Sequence, residues 1–197
     1  MELHYYTDYA CPFCYIAQQH VAAFFQSTGR TMTPHYVEIH PEIPPQGCDR
    51  RLLLSVQQNE QMAAFLAELG APYGLRPSLG QRLSNSEKAL VLRAWVARYA
   101  AEQLPFLDAA MYHAYCDTHL DIGREDVLQA LLAEVGIMEP MTSVLQDPWA
   151  RSTYENDRFQ AQKERIRAVP SFRIGAQLLT GLQTPEKLLE VYRQQLS

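Results

Sequence analysis

Asp8-Tyr9-Ala10-Cys11-Pro12-Phe13-Cys14-Tyr15-Ile16 is the stretch from which the rest of the chain is best understood. Two cysteines stand three residues apart, with proline directly after the first. Before them, residues 2–7 are rich in Tyr, Leu and Thr and alternate, which predicts a short strand. After them, Phe13, Ile16, Ala17, Val21, Phe24 and Phe25 recur at three- and four-residue steps, which predicts a helix. Pro12 suits the first turn, because its missing N–H would be unpaired there anyway. Gly29 is a natural stop. Thr33 to Ile39 reads as a second strand, followed by a proline-rich loop to Gly47. The opening is therefore β-α-β.

From about residue 50 to 167 the periodicity is helical throughout. Helices are expected over 57–69, from a capping box at Ser84 and Glu87 to Tyr99, over 105–119, over 125–135, and over 149–167. The end returns to strands: 171–174 and 177–180 flank Gly175-Ala176 as a hairpin. Thr184 and Pro185 then open a closing helix whose buried face is Leu188, Leu189, Tyr192 and Leu196. The expected architecture is one α/β unit built from 1–50 and 151–197, with a helical domain, 51–150, inserted after the second strand.

The cysteine pair has a chemical logic. Cys11 is expected at the helix N-cap, where free N–H groups and the dipole favour an anion, and the thiolate is the attacking species in disulfide exchange. Cys14, one turn on and facing inward, is placed to resolve a mixed disulfide formed by an exposed Cys11. Asp8 is a candidate for proton transfer. Val169-Pro170 precedes a short strand, an unusual place for proline because it removes a ladder donor.

Bulk properties narrow the alternatives. The 197 residues are 47% hydrophobic with a net charge of −5, as for an ordinary globular chain. No basic stripe points to nucleic acid, and no apolar run approaches the ~20 residues that span a bilayer. Met1 leads directly into the first strand with neither basic nor apolar leader, so the cytoplasm is the expected compartment. Six histidines show no metal-ligand spacing, so no metal is expected. Cys48 and Cys116 read as unrelated thiols.

The Asp8–Ile16 run resembles the D-x-x-C-P-W-C-Y-I-G signature of the FrnE-like branch of the DsbA family. Val37-Glu38-Ile39-His40-Pro41-Glu42-Ile43-Pro44-Pro45-Gln46-Gly47 is similar to that branch's F-E-L-x-P-x-x-P-x-E-G segment. Ser84-Asn85 and Val169-Pro170-Ser171-Phe172 fall in family order. The resemblance implies a thioredoxin-like fold and dithiol–disulfide exchange through Cys11 as nucleophile and Cys14 as resolving thiol. It also implies a substrate-facing cis loop at Val169 and Pro170, and no bound cofactor beyond the redox-active disulfide, with glutathione as the candidate co-substrate. The implied partners are protein or peptide thiols and disulfides and a recycling reductant or oxidant. Phe13 replaces the branch's Trp, and Tyr5 stands where thioredoxins carry a buried acid. Kappa-class glutathione transferases and 2-hydroxychromene-2-carboxylate isomerases are similar in architecture and form the alternative. They place Ser at the first cysteine position and lack the second cysteine, unlike this chain. A redox-controlled binding protein is a further alternative.

Overall fold

The computed structural model describes residues 1–196, so Ser197 at the end of the expected terminal segment lies outside it. Strand β1 (Leu3–Thr7) is central because its side chains are apolar on both faces, with Leu3, Tyr5, Tyr6 and Thr7 all buried. It pairs in parallel with β2 (Thr33–Tyr36). The crossover between them is helix α1 (Pro12–Thr28), which ends on Gly29 in the left-handed conformation, φ 65°. On its other side β1 pairs antiparallel with β5 (Ser171–Ile174), which turns through Gly175 into β6 (Gln177–Thr180). The four-stranded order is β2-β1-β5-β6.

The inserted stretch begins with a small antiparallel pair, β3 (Cys48–Asp49) with β4 (Arg82–Leu83), enclosing α2 (Val56–Gly70). Then follow α3 (Glu87–Tyr99), α4 (Leu104–Cys116), α5 (Glu125–Glu134), α6 (Met141–Gln146) and α7 (Pro148–Lys163). Helix α8 (Pro185–Gln194) closes the described chain, with Thr184 accepting from the Lys187 N–H as its cap.

One buried cluster runs through Tyr6, Tyr9, Cys14 and Tyr36 into Leu92, Tyr112, Val144 and Tyr154, so the sheet edge and the inserted helices share a core. A second, including Phe24, Phe172, Leu188 and Val191, lies between α1, the sheet and α8. Asp157 on α7 fastens that helix to β2: one carboxylate oxygen accepts the Tyr36 N–H at 3.1 Å, and the other lies 2.9 Å from His35.

Several details differ from the sequence reading. The second strand stops at Tyr36, and Val37 to Ile39 continues as extended chain tied to Thr7 and Asp8. The capping box lies at Ser55 and Gln58, not at Ser84 and Glu87. Helix α3 starts after Ser86, whose hydroxyl is directed to Asp8, while the Asn85 side chain accepts from the Glu87 N–H. Leu196 is 64% exposed, and Val191 takes its place on the buried face of α8. Helix α4 ends at Cys116, leaving His119 outside it at a positive φ of 58°.

Candidate active site

Cys11 is the N-cap of α1, in extended conformation, and Pro12 occupies the first turn. The Cys14 N–H donates to the Cys11 carbonyl at 2.9 Å, which is the first bond of the helix. A thiol on the N-cap thus lies over the unpaired N–H groups of a 17-residue helix. Across from it, the Val169–Pro170 peptide bond is cis, and the Cys11 thiol donates to the Val169 carbonyl at 3.6 Å. The loop is itself braced: Gly181 N–H donates to the Pro170 carbonyl at 2.8 Å, and the Ser171 hydroxyl to the Ala168 carbonyl at 2.7 Å.

The sequence reading put Cys11 on the surface, but it is only 2% exposed. The segment 50–54 and helix α2 rise beside the helix start, so the thiol opens into a cavity of about 390 Å³. Phe13, Ile39, Arg50, Leu54 and Met62 are among its walls. Phe13 also faces a second apolar hollow toward Val169, Pro170 and Phe65, so it separates two depressions on either side of the helix start.

Cys14 is wholly buried, and all four cysteines are free thiols. Burial pushes the Cys14 thiol well up, and the neighbouring Cys11 sulfur adds to that; the Thr7 hydroxyl and the Asp8 backbone N–H pull the other way. Thr7 belongs to a chain of buried hydroxyls. Its Oγ1 donates to the Tyr5 phenol at 2.9 Å, and that phenol donates to the Cys14 carbonyl at 3.2 Å. A threonine hydroxyl has one proton, so the 2.7 Å contact with Tyr112 is donated by the tyrosine.

Asp8 is also wholly buried. Its Oδ1 accepts the Ala10 N–H at 3.0 Å; its Oδ2 accepts the Ile39 N–H at 2.7 Å and the Ser86 hydroxyl at 3.0 Å. Burial raises its pKa to about 6, against the lowering effect of those three bonds. The carboxyl therefore ties the extended chain after β2 and the start of α3 to the cysteine turn, and it titrates near neutrality. What Asp8 offers Cys14 directly is its backbone N–H.

The structure thus brings Asp8, Cys11, Pro12, Phe13, Cys14, Val169 and Pro170 to one end of α1. Sequence reasoning missed Thr7, Tyr112 and Arg50. Thr7 and Tyr112 meet only through tertiary folding, and Arg50 had no motif around it. The arginine is buried, 7% exposed, beside the cavity. Cys116 lies buried behind the site, where burial first and the nearby Cys11 second push its thiol up; Cys48 is half-buried on β3. Among the described residues no three His, Cys, Asp or Glu side chains converge as a metal site, and no helix is long and apolar enough to cross a membrane.

The model of the DSBA-like thioredoxin domain matches residues 2–193. No curated protein matches the chain. Among solved structures, a Streptomyces coelicolor protein described as a "probable DsbA oxidoreductase" is similar with a TM-score of 0.80 at 20% identity, over 98% of this chain and 89% of that one. A 2-hydroxychromene-2-carboxylate isomerase is similar with a TM-score of 0.74 at 17% identity, over 100% and 96% of the two chains. The cytosolic disulfide reductase DsbM of Pseudomonas aeruginosa, solved with GSH, gives 0.66 at 18% identity, over 100% and 99%.

Proposed function

We propose, for a chain that belongs to the DSBA-like thioredoxin domain family, that it is a thiol–disulfide oxidoreductase working through Cys11 and Cys14. The observation that carries this reading is the placement of the Cys11 sulfur on the α1 N-cap, 3.6 Å from the Val169 carbonyl beside Pro170. A disulfide that enters there meets a nucleophile over helix N–H dipoles and a strand-entry backbone able to pair with an extended chain. The Cys11 thiolate attacks one sulfur of the substrate disulfide, and the other leaves as a thiolate. Cys14 then attacks the Cys11 sulfur and releases the second thiolate, leaving Cys11 and Cys14 joined. The protein loses two electrons and the substrate disulfide gains them; run backwards, the same steps oxidise a dithiol.

In this reading Pro12 sets the helix start, Phe13 flanks the entry, and Asp8 exchanges a proton with the buried centre during resolution. The substrates are protein or peptide thiols and disulfides, the redox group is the dithiol itself, and a recycling reductant or oxidant completes the cycle in the cytoplasm. The similarity to DsbM, solved with GSH and described as cytosolic, supports that compartment and glutathione as co-substrate. The FrnE-like branch is the finer assignment favoured by the Cys-Pro-Phe-Cys-Tyr-Ile run. Residues 51–150 form the inserted helical domain of the proposed arrangement.

Insulin reduction in the presence of dithiothreitol tests the proposal. Cys11→Ser is expected to abolish it, and Cys14→Ser to accumulate a mixed disulfide through Cys11. Full activity in Cys11→Ser would refute the assignment. The likeness to the isomerase sustains one competing reading, a glutathione-dependent transferase or isomerase. Glutathione conjugation that survives Cys11→Ser would favour it, and the presence of both Cys11 and Cys14 argues against it.

A further inference from the structure

Arg50 is the buried charged residue of the Cys11 cavity, and disulfide exchange does not require it. Its residue is 7% exposed, yet among the described residues no carboxylate forms an ion pair with it. The acids nearby in the chain or acting on the same residues are already engaged: Asp49 is held by Arg51 at 2.5 Å, and Asp8, which like Arg50 acts on Tyr115 and Cys116, accepts from Ala10, Ile39 and Ser86. Glu42, at the cavity's exposed rim, is 2.9 Å from His40. The guanidinium is nevertheless held in place. Its Nε donates to the Gly80 carbonyl at 2.8 Å, and Nη2 lies 3.4 Å from the Tyr115 hydroxyl. A guanidinium carries five N–H donors, so these two contacts leave the greater part of its donor capacity to another acceptor. Buried cations are ordinarily paired, and one that is fixed but lacks its anion at a cavity wall is arranged to receive one.

The rest of the cavity narrows the class. Its volume of about 390 Å³ is that of a small-molecule pocket rather than a protein interface. Phe13, Ile39, Leu54, Met62 and Leu83 supply apolar walls, and Cys11 stands among them. A ligand filling this space has a short apolar body, a sulfur that reaches Cys11 and a negative group that reaches Arg50.

Resting on the exchange chemistry proposed above, we infer that the Cys11 cavity is a binding site for carboxylate-bearing thiols and disulfides of low molecular weight, with Arg50 as the group that selects the anion. Such a disulfide, R–S–S–R with a terminal carboxylate on R, docks its carboxylate on Arg50. The Cys11 thiolate attacks the nearer sulfur, forming Cys11–S–S–R and releasing R–S⁻. Cys14 attacks the Cys11 sulfur and releases the second R–S⁻ as the protein disulfide closes. Two electrons pass from the protein dithiol to the small disulfide, and the two thiol protons go to the solvent or to the released thiolates.

Three symmetrical disulfides of similar size test this: 3,3′-dithiodipropionate with terminal carboxylates, 2-hydroxyethyl disulfide with hydroxyls, and cystamine with ammonium groups. Their second-order rate constants with reduced protein are each divided by that for free 2-mercaptoethanol thiolate, which removes intrinsic reactivity. The wild type is expected to favour the dianion over the neutral compound by about tenfold or more, as for a charge-assisted hydrogen bond, and to disfavour cystamine. Arg50→Met is expected to lose that preference, read as the ratio of the dianion's rate to the neutral compound's rate within the same variant. The wild-type series stands alone if that variant does not fold, and competitive slowing by propionate of the reaction with dithiodipropionate gives a second readout on unmodified protein. Equal normalised rates for anion and neutral in the wild type overturn the anion site and leave the exchange chemistry standing. Absence of reaction with all three overturns both.

Discussion

The phenol of Tyr5 donates a 3.2 Å hydrogen bond to the carbonyl of Cys14, so the buried thiol's residue is held by a hydroxyl chain where a thioredoxin would carry an acid. Tyr112 feeds Thr7, Thr7 feeds Tyr5, and Tyr5 ends on Cys14. None of these groups carries charge at neutral pH: burial pushes the Tyr5 and Tyr112 phenols well up. The Thr7 proton is given to Tyr5 while Cys14 is a thiol, and by rotating toward the Cys14 sulfur it can steady a thiolate there without a second anion beside it.

Thr7→Val removes that proton and nearly preserves shape. Burial already holds the Cys14 thiol high, and the Thr7 hydroxyl is among the groups that lower it, so the substitution moves it higher still. Resolution of a Cys11 mixed disulfide is expected to slow by about fivefold at neutral pH, the worth of one net hydrogen bond. Thr7→Ser should restore it. Single-turnover release of a fluorescent thiol from Cys11 measures the step, and an unchanged rate in Thr7→Val would exclude the hydroxyl from it.

Asp8 makes stability fall as pH rises through the acid range. Its pKa is about 6 in the folded protein and near 3.9 in an unfolded chain. Between those values the folded state binds more protons, so unfolding free energy decreases with rising pH, and the cost is fully present above about pH 6. Two pH units correspond to about 2–3 kcal/mol at most. Asp8→Asn should flatten the dependence between pH 4 and 6. It should also lower stability below pH 4, because an amide cannot accept from Ala10, Ile39 and Ser86 in the same arrangement. Urea midpoints across this range check both effects. As a proton-exchanging group, Asp8 lost to Asn should also slow mixed-disulfide resolution.

Gly47 closes the loop that carries Glu42 to the cavity rim. Its φ is +71°, and a Cβ there would lie 2.6 Å from the Leu83 carbonyl oxygen on β4. Backbone, rather than a flexible side chain, is in the way. Gly47→Ala is therefore expected to cost about 2 kcal/mol or more, from the left-handed conformation and the displaced β3–β4 pair together. Thermal melting would show the loss, while Gly29→Ala, which meets no atom within 4 Å, should cost only the conformational part.

The fold was legible where local signals agreed with tertiary ones. Strand β1, the Pro12 helix start, Gly29 and the Thr184-Pro185 cap each combine a periodicity with a residue suited to the turn, and at Pro12 the family signature agrees with them. The β3–β4 pair was not legible, since two residues on each side show no alternation and their partners are separated by helix α2. Ser84 and Glu87 have the spacing of a capping box. Ser86 is instead drawn to the buried Asp8 carboxylate, a demand that arises only once α3 packs against the cysteine turn. Exposure of Cys11 was misread for a related reason, because the residues that cover it follow β3 rather than neighbour it in sequence. The Val169–Pro170 loop could be singled out from its order in the chain; its contact with Cys11 depends on β5 pairing with β1.

Phe13 sets the electronics beside Cys11. Secreted DsbA enzymes place a His between their cysteines, whereas the Phe13 ring has no donor for a thiolate, and it packs with its centroid 6.2 Å from that of Phe65. A thiolate that is less stabilised makes the reduced form less favoured, so the couple becomes harder to reduce. The Cys11–Cys14 potential is expected to be more negative than the ~−120 mV of DsbA, and Phe13→His to move it in the oxidising direction by about 30 mV, a tenfold change in the equilibrium constant. Equilibration with glutathione redox buffers, read by alkylation of the two thiols, gives both numbers. A wild-type potential at or above that of DsbA would remove Phe13 as the tuning residue.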